Sequence, residues 1–175
     1  MLELKDATLT IDGQTLFKRL SLMAQDGQMT CITGPSGCGK TAMIRAMMGF
    51  IPLDEGLVSV DGELLTALSA PTFRRLMGYM PQKRKTSMAQ ITTDTEGLET
   101  VWAPQVLRDY QPTPIDERLD VAPMASKPIV IADDPDSTQL SLLRSLAVAG
   151  HTVIVATKRE EYLNLSEKTI TLEKT

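Results

Sequence analysis

Residues 34–41 read Gly-Pro-Ser-Gly-Cys-Gly-Lys-Thr, the string GxxxxGK[ST], and no other stretch restricts the fold of this chain as strongly. Before it lies Met29-Thr30-Cys31-Ile32-Thr33, a short apolar run of strand type. After it, Thr41 to Met48 suits a helix that closes at Gly49. A glycine-rich loop between a buried strand and a helix lets successive backbone N–H groups turn inward on a phosphate chain, and the helix dipole adds positive potential at the same place. In that arrangement Gly34, Pro35, Ser36, Gly37, Cys38, Gly39, Lys40 and Thr41 frame the phosphates. Lys40 reaches the terminal ones, and the Thr41 hydroxyl is a ligand for Mg²⁺. The plain alternative is a glycine-rich turn that holds no nucleotide.

A phosphate loop needs a second group on the metal side. Ile129-Val130-Ile131-Ala132 is a run of the fully buried strand type, and it ends at Asp133, where a carboxylate can hold Mg²⁺ through water. The next residue, Asp134, has two readings: a general base that polarises an attacking water, or the N-terminal cap of the helix after Pro135.

Around these two motifs the chain alternates strand and helix. Leu2 to Ile11 and Leu16 to Met23 alternate with a period near two about Asp12-Gly13, which predicts an antiparallel hairpin. Leu57 to Val60 with Asp61-Gly62 predicts another strand and turn, and Ser69 before Ala70-Pro71 predicts a capped short helix leading into a strand over Leu76 to Met80. Ser137 to Ala149 carries helical spacing, Thr152 to Ala156 is a buried strand, Glu160 to Leu163 is helical and Thr169 to Leu172 is a last strand. Such alternation implies an α/β fold with a mainly parallel sheet, helices on both faces and an antiparallel N-terminal β region beside it. Between Gln82 and Lys127 the pattern degrades into polar residues and prolines, Pro104, Pro112, Pro114 and Pro123 among them, with one amphipathic turn at Leu98, Val101 and Trp102. A single domain over residues 1–175, with a partly irregular region at 83–127, is the expectation.

The 175 residues are 42% hydrophobic and 23% charged, the balance of a folded chain able to bury roughly 70% of its unfolded surface without a disulfide or structural metal. Its 18 basic and 22 acidic residues give a net charge of -4, which argues against a surface built for nucleic acid. Cys31, Cys38 and one histidine, His151, fall short of a four-ligand zinc set. The first residues have neither a basic n-region nor an apolar h-region, and no run of eighteen apolar residues occurs, so a reducing cytoplasmic setting without direct membrane insertion is expected.

The chain resembles the nucleotide-binding subunit of an ATP-binding cassette (ABC) transporter. Beyond Gly34 to Thr41 and Ile129 to Pro135, the stretch Gly78-Tyr79-Met80-Pro81-Gln82 is similar to the strand leading to the family's Q-loop glutamine. Gly150 to Thr157 is similar to the strand before its switch histidine, and Val58-Ser59-Val60-Asp61-Gly62 to its characteristic strand and turn. The resemblance implies a P-loop NTPase core that binds ATP and Mg²⁺, with Thr41, Gln82 and Asp133 on the metal side and Lys40 and Asp134 in the catalytic roles. It further implies peripheral attachment at the inner membrane face, through transmembrane transporter subunits or a second cassette subunit.

The departures from the family pattern are specific. Only 51 positions separate Gln82 from Asp133, short for the helical subdomain, and no LSGGQ-like signature occurs; its place falls near Tyr110-Gln111-Pro112-Thr113-Pro114. Asp134 stands where the family has a glutamate, Lys158 where it has the switch histidine, and Ile11 where it has an aromatic residue against the adenine. Two functions stay open on this basis: a cassette with weak or lost ATP hydrolysis that drives or regulates transport, and a non-catalytic interaction subunit. A small P-loop kinase ranks below both.

Overall fold

The computed structural model describes residues 1–82 and 126–173. The period-two start of the chain forms a hairpin, β1 (Leu2–Ile11) and β2 (Gln14–Ala24), turning at Asp12-Gly13. Then come β3 (Met29–Thr33), α1 (Lys40–Met47), β4 (Glu55–Val60), β5 (Glu63–Leu64), α2 (Ala70–Leu76) and β6 (Met77–Met80). After the undescribed interval follow β7 (Ile129–Asp133), a 3₁₀ turn at Ser137–Gln139, α3 (Leu140–Val148), β8 (Thr152–Ala156), α4 (Glu160–Leu165) and β9 (Lys168–Thr171).

Two sheets result. β2-β1-β4-β5 is antiparallel, and β6-β7-β8-β3-β9 is parallel in every described pairing. β7 and β8 are buried along their whole lengths, which is why they read as unbroken apolar runs rather than alternating ones. One face of the parallel sheet packs Ile32, Ile131 and Ile154 against Met43, Ile44 and Met47 of α1, and the antiparallel sheet joins the same core through Leu2, Leu4, Leu22 and Val60. The other face packs Val130, Val153 and Val155 against Leu143, Leu146 and Ala147 of α3 and Tyr162 of α4. Helices therefore cover both faces, as the alternation of elements implied.

Two capping expectations change. Ser69 already has helical dihedrals, φ −85° and ψ −19°. The Thr66 N–H donates to Ser69 Oγ at 2.8 Å and the Ser69 N–H donates to Thr66 Oγ1 at 3.2 Å. That reciprocal box moves the cap of α2 to Thr66, because the turn at 67–69 already winds helically. The helix after Pro135 is capped by Asp136, not by Asp134: Asp136 Oδ1 accepts from the Thr138 N–H at 3.0 Å, and Gln139 Oε1 accepts from the Asp136 N–H at 2.9 Å. Asp134 is directed elsewhere. No helix among the described residues is long and apolar enough to cross a membrane.

Candidate functional site

β3, β7 and β8 lie in adjacent or near-adjacent positions and run the same way, so their carboxyl ends open together. At that edge of an open α/β sheet, ligand crevices form. A cavity of about 620 Å³ lies there. Ser36, Gly37, Gly39, Lys40 and Thr41 line it from the loop after β3; Asp133 and Asp134 line it from β7; Gln82 follows β6, and Lys158 and Arg159 follow β8. Every cation and carboxylate that the sequence singled out for the site therefore faces one space.

The loop is held by contacts that only glycine permits. Gly34 has φ +144°, and a Cβ there would stand 2.3 Å from the Leu172 carbonyl oxygen and 2.7 Å from Cys38 Sγ. Gly37 has φ +80° with nothing within 4 Å of its would-be Cβ, so conformation and not space requires glycine there. Cys38 is buried and packs into the core. Lys40 lies along the loop, with Nζ donating to the carbonyl oxygens of Gly34 at 2.7 Å and Pro35 at 2.9 Å.

The Thr41 hydroxyl donates to Asp133 Oδ2 at 2.8 Å, joining α1 to the end of β7. Burial holds the Asp133 carboxyl above the usual carboxylate range. The Thr41 hydrogen bond opposes this, Asp134 adds to it, and Arg45 and Lys40 pull the other way. No group of three or more His, Cys, Asp or Glu side chains able to hold a metal occurs among the described residues. A hydroxyl and one buried carboxylate suit a hard cation that takes its remaining ligands from water and phosphate, which is the habit of Mg²⁺. The residues present therefore fit Mg²⁺ bound together with a phosphate chain. Gln82 stands in the same cavity with its amide nitrogen donating to Asp134 Oδ2 at 3.0 Å, so its carbonyl oxygen is the group it offers a cation.

Asp134 sits at φ +47°, its N–H donating to the Ala156 carbonyl oxygen at 2.7 Å. Oδ2 accepts from Gln82, and Oδ1 accepts from Thr157 Oγ1 at 3.1 Å. Thr157 is a site residue that sequence reasoning missed: it is buried, just beyond β8, and its hydroxyl also accepts from the Arg159 N–H at 3.2 Å. Its signal was a polar residue closing an apolar strand beside a second strand that ends in carboxylates. Lys158, which reads in isolation as a solvated strand-end lysine, donates from Nζ to Ser36 Oγ at 2.5 Å. Ile11 is half-buried against the core, while Leu16 contributes an apolar side chain to the cavity. His151 precedes β8 as a loop residue, its Nδ1 paired with the Lys127 carbonyl oxygen at 2.7 Å. The basic residues Lys83, Arg84 and Lys85 that follow Gln82 in the sequence, the apolar turn at Leu98, Val101 and Trp102, and Tyr110 to Pro114 lie outside the described residues.

The sequence profile of the family described as ABC transporter matches residues 17–129. The Fe(3+) ions import ATP-binding protein FbpC 2 of Pectobacterium atrosepticum is 36% identical over 84 residues, covering 47% of this chain and 24% of that protein. The ABC transporter ATP-binding/permease protein Rv1747 of Mycobacterium tuberculosis is 27% identical over 209 aligned positions, covering 98% of this chain and 24% of that protein. The chain thus spans about a quarter of the length of these curated relatives. The bacterial ABC transporter cassette MJ0796, solved as a dimer, superposes with a TM-score of 0.68 at 22% identity, covering 99% of this chain and 95% of that one, a likeness of fold.

Proposed function

Because the chain belongs to the ABC transporter family, we propose that it is an ATP-binding cassette, a single nucleotide-binding domain over residues 1–175 with a reduced region at 83–127. In this reading Gly34 to Thr41 wrap the phosphates, and Lys40 leaves the Gly34 and Pro35 carbonyl oxygens to pair with the terminal ones. Thr41 and Asp133, with Gln82 beside them, hold Mg²⁺. When bound, the ion neutralises developing phosphate charge and orients the chain. The observation that carries the reading is the 2.8 Å contact between Thr41 Oγ1 and Asp133 Oδ2, set beside Lys40 on the loop. Titration of the purified chain with Mg-ATP by calorimetry tests it. Micromolar to millimolar binding that Lys40→Ala abolishes supports it, and no binding by the unaltered chain overturns it.

Hydrolysis rests on Asp134. Its carboxylate borders the cavity and can draw a proton from a water in line with the terminal phosphate, with Lys40 and the loop amides receiving the charge that develops. One observation favours a second reading, binding without turnover: both carboxylate oxygens already accept hydrogen bonds, from Gln82 and Thr157. Phosphate release above a Lys40→Ala control decides between a slow ATPase and a non-catalytic interaction subunit.

The names of the relatives, an iron import ATP-binding protein and an ATP-binding/permease protein, support a place at the inner face of a membrane beside transmembrane subunits. The dimeric MJ0796 cassette supports a second cassette copy as the other partner. Co-purification with a permease, or a nucleotide-dependent change of mass in solution, tests the two.

A further inference from the structure

A groove of about 300 Å³ shares no lining residue with the phosphate-loop cavity. One wall is the end of α1 and the chain just after it, with Ala46, Ile51 and Leu53; the other is the sheet edge at β4 and β5, with Leu57 and Leu64. Gly49 lets the walls meet. Its φ is +72°, and a Cβ there would stand 2.7 Å from Leu65 Cδ2 and 2.8 Å from Ala70 Cβ. Thr66 is the one lining residue with a polar side chain. Leu57 and Leu64 on the wall, and Leu68 just beyond the lining residue Ala67, are large apolar side chains left in solvent, Leu64 at 54% and Leu68 at 94% exposure. An apolar groove continued by exposed leucines is the surface of a contact site.

The rim of the groove is acidic. Asp54 and Glu55 sit between the lining residues Leu53 and Gly56, Glu63 precedes Leu64, and all three are exposed. No lysine or arginine lines the groove, and neither Asp54 nor Glu63 forms an ion pair with a described cation. Glu55 accepts from the Thr8 hydroxyl at 3.2 Å, a neutral partner that leaves its charge in place. Such a rim repels an anionic lipid surface and draws in lysine and arginine. It also opposes a second copy of the chain, because a two-fold contact through this face would set the three carboxylates against themselves. The apolar walls offer nothing to the backbone N–H and C=O groups of an incoming chain, so that segment must pair them within itself, as a helix does. β5 is two residues long, too short an edge to template an added strand.

We propose that this groove receives the apolar face of a lysine- and arginine-rich amphipathic helix from a partner protein. Apolar anchors at i, i+3 and i+4 of that helix enter between the end of α1 and β5, Leu64 and Leu68 extend the contact, and its cations flank Asp54, Glu55 and Glu63. Burial of the leucines supplies the affinity, and the acidic rim selects the sign of the partner's flanks. Docking here is independent of what the phosphate loop binds.

Fluorescence anisotropy on the full chain tests the docking with three labelled peptides: an amphipathic helix of leucine and lysine, its counterpart with glutamate for lysine, and a scramble of the first that has no apolar face. The leucine–lysine helix is expected to bind at least about tenfold more tightly than either of the others. Leu64→Ser and Leu68→Ser alter exposed side chains and leave the core intact. Each is expected to weaken that peptide about threefold, and the two together about tenfold. Asp54→Lys combined with Glu63→Lys is expected to transfer the preference to the glutamate helix. A scramble that binds equally well, or affinity unchanged by Leu64→Ser with Leu68→Ser, would show that net charge alone draws the peptide and overturns the proposal. Failure of the leucine–lysine helix to bind overturns it as well. So does self-association of the chain that Leu64→Ser with Leu68→Ser abolishes, since a second copy would then be the occupant.

Discussion

The hydroxyl of Thr41 and the carboxylate of Asp133 meet at 2.8 Å across 92 positions of sequence, tying the first turn of α1 to the last residue of β7. Neither side chain is placed by the other's neighbourhood in the chain. The parallel pairing of β7 with β8, and of β8 with β3, brings them together. Burying the Asp133 carboxylate costs the fold something, and the Thr41 hydrogen bond offsets only part of it. Burial raises the Asp133 carboxyl above its usual range, so its contribution to stability is full below the unfolded value of 3.8 and is lost as pH rises through the folded one. Asp133→Asn keeps the shape and removes the charge. Expected at neutral pH without metal is a melting temperature about 2–4 °C higher, the effect of about 1 kcal/mol in a chain of this size. Mg²⁺-dependent nucleotide affinity is expected to be lost. A variant that melts lower and binds Mg-ATP as before contradicts both halves.

Gly34 and Gly37 separate crowding from conformation. Alanine at Gly34 drives its Cβ to 2.3 Å from the Leu172 carbonyl oxygen, a backbone atom at the end of the sheet that cannot swing aside. Alanine at Gly37 meets nothing within 4 Å and suffers only the left-handed backbone. Thermal denaturation of the two variants should show Gly37→Ala losing about 1–2 kcal/mol and Gly34→Ala clearly more, to the point of poor folding. Equal losses would show that the loop relaxes away from Leu172.

Much of this arrangement is legible in the sequence because local rules and the global fold agree. The strand before Gly34, the helix after it and the buried run ending at Asp133 each carry a pattern of their own, and the structure keeps them within a residue or two. Thr157 was not legible as a site residue, and Lys158 only as the residue at the family's switch position: their contacts with Asp134 and Ser36 depend on β8 lying between β7 and β3, which no local pattern encodes. The cap after Pro135 was ambiguous for a different reason. Asp134 and Asp136 are chemically alike and flank the same proline. The choice falls to Asp136 because Gln139, three residues on, returns the bond, while Asp134 is drawn toward Gln82 and Thr157.

That division of labour between the two aspartates is measurable. Asp136→Ala removes the acceptor of the Thr138 N–H and should lower unfolding stability by about 1 kcal/mol, the usual worth of such a cap. Nucleotide affinity should not follow, because Asp136 is not on the cavity wall. Asp134→Ala should leave the cap intact and act on phosphate release. If Asp134→Ala proves the variant that unwinds the start of α3, seen as lost protection of the amides after Ser137, the assignment is reversed.

Glu167 gives the fold an acid limit far from the cavity. Its Oε2 accepts from the Met29 N–H at 2.8 Å, at the start of β3, and Oε1 accepts from Arg144 of α3. The carboxylate thus pins the strand that feeds the phosphate loop to a helix on the opposite sheet face. Burial by itself would raise this carboxyl, but the Arg144 and Met29 hydrogen bonds outweigh it and hold the group below its ordinary 4.5. A carboxyl depressed in the folded state contributes stability above its unfolded value and loses it as pH falls through the lower folded one. Urea denaturation should therefore show stability declining below about pH 4.5 in the unaltered chain. Glu167→Gln should start lower at neutral pH by about 1 kcal/mol, since the partly exposed ion pair is screened, and should decline less on acidification. The difference between the two curves isolates Glu167 from the other carboxylates that titrate in the same range. Parallel curves would mean that the Arg144 and Met29 contacts exert no net pull on its proton, and the acid limit would have to come from other carboxylates.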